Sequence, residues 1–256
     1  MPCFGQTYDE KISGVDCFDP GIQILGSDSI LQESGMLVLQ SARNSQEILL
    51  GLIVKYPVYL RSGNEKVYLK LMETLLGDVY TTQVVLKPIK RIQKEKIYEL
   101  IIDSLPQRDN LSGNNSLSRM RIVPFASMDM VVWPSMPEKL YYQCSIPPCH
   151  EDIFFRCKNR ELVSFSLPVG LPGGTLIRAE IENLKTGKKV CQYIQANENH
   201  FELGHSECFG NFEFGKNQSF QGRFDILLPN GSSISWKGEL VKFHTNLKQE
   251  ECCQLD

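Results

Sequence analysis

Apolar residues in this chain come in runs of about six to eight, rich in Val, Ile, Tyr and Phe, each cut short by Gly, Pro, Asn or Ser. That punctuation predicts many short strands and few helices. In the first half it predicts strands over 36–40, 48–54, 58–61, 79–86 and 96–103, spaced as in an antiparallel sheet. The segment 66–76 alternates at its start, carries good helix formers and ends at Gly77; it is read as a strand.

The second half is patterned more regularly. In 175–182, Ile177, Ala179 and Ile181 point one way while Arg178, Glu180 and Glu182 point the other, which predicts one buried and one solvated face. Residues 184–188 form a turn with Gly187 into 189–194, so a hairpin is expected. A second hairpin follows, because Phe224, Ile226 and Leu228 alternate up to Pro229-Asn230-Gly231, and Ile234 and Trp236 line the return strand. After Gly238 the apolar positions shift to Leu240, Val241 and Phe243, as a bulge would require.

The stretch 104–118 is rich in Ser and Asn, with a proline and a glycine, and has little to bury, so it is read as a linker. The expected organisation is an N-terminal segment 1–18, a β domain 19–103, the linker 104–118, a second β domain 119–244 and an acidic tail 245–256. The proline-punctuated region 133–148 is the alternative boundary. No fixed-period repeat occurs. The fold class is therefore mostly β, with two antiparallel sandwich or open-barrel units joined by a Ser/Asn-rich linker.

With 256 residues, a formal charge of -3, 42% hydrophobic and 22% charged residues, the chain has the composition of a soluble globular protein and no global attraction for polyanions. The first residues lack a basic region and an apolar core of signal-peptide length. The longest apolar stretch, 48–54, is far short of the roughly 20 residues needed to span a bilayer. A cytoplasmic location is expected. The nine cysteines are an odd number in a chain too large to need stapling, so free thiols are expected. Residue pattern alone leaves open whether Cys144, Cys149, Cys157, Cys191 and Cys208 are free, disulfide-bonded or metal-bound.

Candidate chemistry is sparse. Cys144, Cys149, His150 and Cys157 offer soft ligands, but their gaps do not match paired zinc knuckles; His200, His205 and Cys208 are at most half a site. No metal or cofactor is assigned. The four histidines, His150, His200, His205 and His244, adjoin no recognisable nucleophile turn, and no phosphate-cradling glycine loop is present. The basic run 87–96 holds five positive charges against one negative, without interleaved aromatics for base stacking. It is read as a solvated loop, and nucleic acid is not favoured. Cys252 and Cys253 in the tail are candidate lipidation sites, although no polybasic segment supplies a second membrane contact.

Three strings within 12–103, namely Gly14-Val15-Asp16, Gly77-Asp78-Val79-Tyr80 and 93–102, resemble the dUTPase barrel and its catalytically inactive, virus-encoded relatives. The resemblance implies a β barrel with Asp78 and Tyr80 near a nucleotide pocket. In that family the catalytic aspartate lies three residues before the tyrosine; here Gly77 holds that place and Asp78 is one step off. The glycine-rich C-terminal arm is also absent, and nucleotide hydrolysis does not follow from a fold.

These observations lead to a non-enzymatic intracellular interaction or assembly protein that binds a partner protein. The alternative is a dUTPase-like or dUTPase-derived nucleotide-binding protein. Trp133, Tyr141, Tyr142, Phe154 and Phe155 are the expected interface anchors.

Overall fold

The computed structural model describes residues 21–26, 30–32, 35–42, 45–93, 96–104, 116–123, 160–166, 171, 173–197, 200–206, 210–214, 217–229, 232–235 and 239–245. Within them the fold is mostly β: one curled sheet and two further sheets, with a single short α-helix.

The first sheet contains eight strands: β1 (Ile22–Leu25), β2 (Ile30–Gln32), β3 (Leu37–Ala42), β4 (Val58–Ser62), β5 (Glu65–Leu76), β6 (Thr81–Pro88), β7 (Ile97–Ile102) and β8 (Ser116–Val123). Their order is β1-β3-β6-β5-β4-β7-β8-β2, and only the β2–β8 pair is parallel. Strand β8 starts inside the stretch read as a linker and continues past 118, so the expected boundary at 118/119 falls within a strand that pairs with β7.

Alternation places Leu37, Leu39, Val58, Leu60, Val67, Leu69, Val84, Leu86, Tyr98, Leu100 and Ile102 on the concave face, where they form one core. Segment 66–76 is the long strand β5, as the alternation implied. A one-residue bulge between Leu71 and Glu73 reverses its faces. Val67 and Leu69 therefore enter the concave core, whereas Leu75 is buried on the convex side.

The strand expected over 48–54 is instead the helix α1 (Gln46–Leu50) followed by a turn. Ile48, Leu49 and Leu52 are buried at helical spacing, and the Gly51 amide donates to the Glu47 and Ile48 carbonyls. Leu50 and Val54, inward-facing in an alternating strand, are exposed. The helix closes the concave core, with Thr82 Oγ1 hydrogen-bonded to Gln46 Oε1 at 3.1 Å.

The second unit pairs β10 (Leu176–Asn183) with β11 (Lys189–Gln195) and with β13 (Gln218–Leu227), which also pairs with β14 (Ser233–Ile234) and β15 (Val241–Thr245). Strands β9 (Arg160–Ser166) and β12 (His200–Ser206) form a separate two-stranded sheet. The first expected hairpin is present; at the second, β13 pairs with β14 through Ile226 opposite Ile234 and Leu227 opposite Ser233, while Asn230, Gly231 and Trp236 lie outside the described residues. At the first, Asn183 Oδ1 accepts the Lys185 and Thr186 amides at 2.9 and 3.1 Å, and Gly187 supplies a φ of 70°.

Rings lock the two layers together. Phe165 of β9 stacks on Phe201 of β12 at 4.9 Å, and Phe165 also meets Phe224 of β13 and Phe243 of β15. Phe214 and Phe220 extend the cluster. Such offset and edge contacts add about 0.5–1.5 kcal/mol per pair beyond burial.

Candidate functional site

The two units meet over the convex face of β3 and β6. Val38, Val85 and Leu75 pack there against Leu176, Tyr193 and Leu227; with Val84 and Leu86 in the concave core on the other face, every residue from Thr81 to Leu86 is buried. Gln83 is central to this seam. Its Nε2 donates to the Tyr193 carbonyl at 2.8 Å and to Gln40 Oε1 at 2.7 Å, while its Oε1 accepts the Tyr193 amide at 2.7 Å. One side chain thus reproduces a strand pairing along the free edge of β11.

Arg178, expected on a solvated face, instead donates to Glu73 Oε1 at 2.9 Å across the seam. Burial opposes its charge most strongly, but the Glu73 bond together with the attraction of Glu73 and of the ionisable Cys191 and Tyr193 outweighs it and holds the guanidinium pKa above its ordinary value. Beside it, burial pushes the Cys191 thiol up to about 11, against the lowering effect of Arg178. Tyr193 is shifted upward by the same desolvation.

Asp78 and Tyr80 lie at one end of the seam. The Asp78 amide donates to the Asn211 carbonyl at 3.2 Å, and Gly210 donates to the Val79 carbonyl at 3.0 Å. The Asp78 carboxylate accepts the Glu213 amide at 3.0 Å and forms a 2.6 Å ion pair with Lys188. It borders a cleft of about 250 Å³ with a polar rim of Asn183, Thr186 and Gln218 and a floor that includes Phe212, Phe214 and Phe220. Tyr80 is exposed, with a φ of 47°. The aspartate therefore ties the first unit to the second.

A different surface opens where the seam ends. The second unit covers the convex face of β6 as far as Val85; beyond it Lys87 and Ile89 continue the same face. On neighbouring β5 the convex positions are Lys66, Tyr68 and Lys70, and on β4 they are Tyr59 and Arg61. Register sets Lys70 directly opposite Lys87, and the Ile89 amide donates to the Tyr68 carbonyl at 3.0 Å. Tyr68 and Ile89 are 48% and 59% exposed and lie side by side.

Electrostatics on this face are unbalanced. On it Arg61 pairs with Glu99 at 2.8 Å, whereas Glu65, in line with Val67 and Leu69 on the concave side, takes Lys96 at 3.0 Å and Lys90 at 3.7 Å. The hydrogen bond from Lys96 holds the Glu65 pKa below its ordinary value, and the Tyr98 hydroxyl adds to it. Among the described residues, Lys66, Lys70 and Lys87 have no carboxylate partner; the Lys66 ammonium sits 4.5 Å over the Tyr59 ring instead. The basic run is thus not wholly a solvated loop. Lys87 lies within strand β6, Ile92 enters the core, and Lys90 and Lys96 are tied to Glu65.

Trp133, Tyr141, Tyr142, Phe154 and Phe155, the expected anchors, lie outside the described residues, as do Cys252 and Cys253 and the cysteines 144, 149, 157 and 208 with His150. Cys191 is a free thiol. His200 and His205 both sit on β12, and no group of metal-ligating side chains occurs among the described residues. No helix among them is long and apolar enough to cross a membrane. The cationic face was missed because its two halves are about 20 residues apart in sequence and meet only through the β5–β6 register. The alternation Lys66-Tyr68-Lys70 was its legible signal.

No family model matches the chain, and no curated protein matches it. Among solved structures, a pullulanase from Anoxybacillus sp. LM18-11 aligns at 7% identity over 81% of this chain and 24% of its own, with a TM-score of 0.25. A chain of a cytokine receptor complex aligns at 10% identity over 90% of this chain and 100% of its own, with a TM-score of 0.28. The tandem Ig repeats of Dlar align at 8% identity over 88% and 97%, with a TM-score of 0.25. The chain spans about a quarter of the length of the pullulanases it matches. Overlaps at these scores define no common fold.

Proposed function

We propose that this chain is a non-enzymatic, cytoplasmic interaction protein that binds a partner protein through the exposed convex face of β5 and β6. One observation carries the reading: Tyr68 and Ile89 stand exposed side by side on a sheet whose other face is a packed core, beside lysines that have no carboxylate partner among the described residues. A stiff scaffold presenting an amphipathic ring beside an aliphatic side chain is the usual material of a binding surface. The free thiol at Cys191 fits a reducing compartment.

The test is affinity purification of the tagged full chain from its native cells, comparing wild type with Tyr68→Ser/Ile89→Ser. A stoichiometric protein retained by wild type and lost by the variant supports the reading. Recovery of the bare chain from both counts against it. The cleft beside Asp78 keeps a nucleotide-binding reading in play. A nucleotide at 100 times its dissociation constant would stabilise the fold by about 2.7 kcal/mol, and such a shift in a thermal screen would favour that reading.

A further inference from the structure

We infer that the partner presents an extended acidic protein segment, which docks across the convex face of β5 and β6 with carboxylates on Lys66, Lys70 and Lys87 and an apolar side chain against Tyr68 and Ile89. This inference rests on the binding reading above and names the chemistry of the ligand at the same surface.

Charge placement carries the argument. Arg61 stands opposite Lys66, and Lys70 stands opposite Lys87, in direct cross-strand register. Like charges so placed repel and destabilise the pair of strands. Glu99 relieves the first pair through its 2.8 Å bond to Arg61; among the described residues nothing relieves the second. The chain as a whole is acidic, at -3, so this cluster runs against the overall balance. An incoming anion removes the repulsion and gains the attraction of three ammonium groups that, among the described residues, have no carboxylate to displace.

The surroundings favour a peptide over a nucleic acid. Base stacking needs open aromatic faces in succession, and this face offers one. Tyr59, its other ring, is 3% exposed and lies beneath the Lys66 ammonium. The guanidinium fork that would grip a phosphate is already held by Glu99. What remains is three compact point charges around an apolar pair, a match for carboxylates flanking an apolar side chain. Positions 66, 68 and 70 recur every second residue, the same period as side chains along an extended peptide.

Fluorescence anisotropy tests this with the full chain, a labelled peptide of repeated Glu-Glu-Phe and a labelled mixed-sequence single-stranded DNA. The peptide is expected to bind, with affinity falling by about tenfold or more in Lys66→Glu/Lys70→Glu/Lys87→Glu and on raising the salt. The neutral Lys66→Gln/Lys70→Gln/Lys87→Gln should fall between the two, and it keeps the test valid should charge reversal perturb folding. Tyr68→Ser should weaken binding while leaving the salt dependence unchanged. Tighter binding of DNA than of peptide, no peptide binding, or a peptide affinity indifferent to all three lysines would each overturn the inference. If wild type and the triple Gln variant both retain the same native partner, the acidic-segment inference fails while the binding reading stands. If neither retains a protein, both fail.

Discussion

Replacing Gln83 by leucine should uncouple the two units more than any other substitution of similar volume on this seam. Gln83 is fully buried, and its amide occupies both main-chain polar groups of Tyr193 as well as Gln40 Oε1. Leucine fills the space but leaves the Tyr193 N–H and C=O without partners on the edge of β11 that faces Val38, Val85 and Leu75. Each buried orphan costs about 1–3 kcal/mol. The Gln40 side chain is only partly buried and regains water, and leucine adds some apolar burial. The expected net loss is about 2–4 kcal/mol. Urea unfolding reads it as a lower midpoint at unchanged slope, and native-state hydrogen exchange should show the Tyr193 amide losing protection. A loss below about 1 kcal/mol, or a Tyr193 amide as protected as in wild type, would show that the seam is held by apolar packing alone and that the bidentate bond is incidental.

Gln192 should behave in the opposite sense. It is also fully buried, but it faces the phenylalanine core opposite Ala179, and neither of its amide atoms has a hydrogen-bond partner among the described residues. Gln192→Met is therefore expected to raise the urea midpoint, by about 1–2 kcal/mol; a drop would mean that the amide is satisfied. Gly222 of β13 has no room for a methyl group, since an added Cβ would lie 2.8 Å from Ile181 Cδ1 and 2.9 Å from Phe224 Cζ. Gly222→Ala should cost about 1–3 kcal/mol by thermal unfolding, and an unchanged melting temperature would show that these side chains give way freely. With its pKa pushed up to about 11, the Cys191 thiol is almost entirely protonated at neutral pH and gains reactivity only as the pH rises toward that value. Peptide mass spectrometry after iodoacetamide treatment of the native protein should find Cys191 modified more slowly than after unfolding, and equal rates would refute its partial burial.

Local chemistry made much of the second unit legible. Ile177, Ala179 and Ile181 face the core because strand side chains alternate, and Asn183 with Gly187 closes the first hairpin through bonds within five residues. Segment 66–76 could be read as β5 because Lys66-Val67-Tyr68-Leu69-Lys70 alternates before the bulge. Segment 48–54 misled for the same reason that apolar runs generally do: without polar interruptions, period two and period 3.6 look alike. Its helix follows from Gly51 and from the concave core that Ile48, Leu49 and Leu52 close.

The sequence alone determined a β-rich chain with two hairpins in its second half, since turns and alternation act over a few residues and need no distant partner. Tertiary structure decided which faces are used. Only the meeting of two units explains why Gln83 is fully buried and why Arg178 is drawn from its expected solvated face, with partners 110 and 105 residues away. Only the register of β5 against β6 sets Lys70 beside Lys87 and Tyr68 beside Ile89. Strand pattern fixes the direction in which a side chain points, but what it meets there depends on which distant surface is packed against it, and no local interaction encodes that.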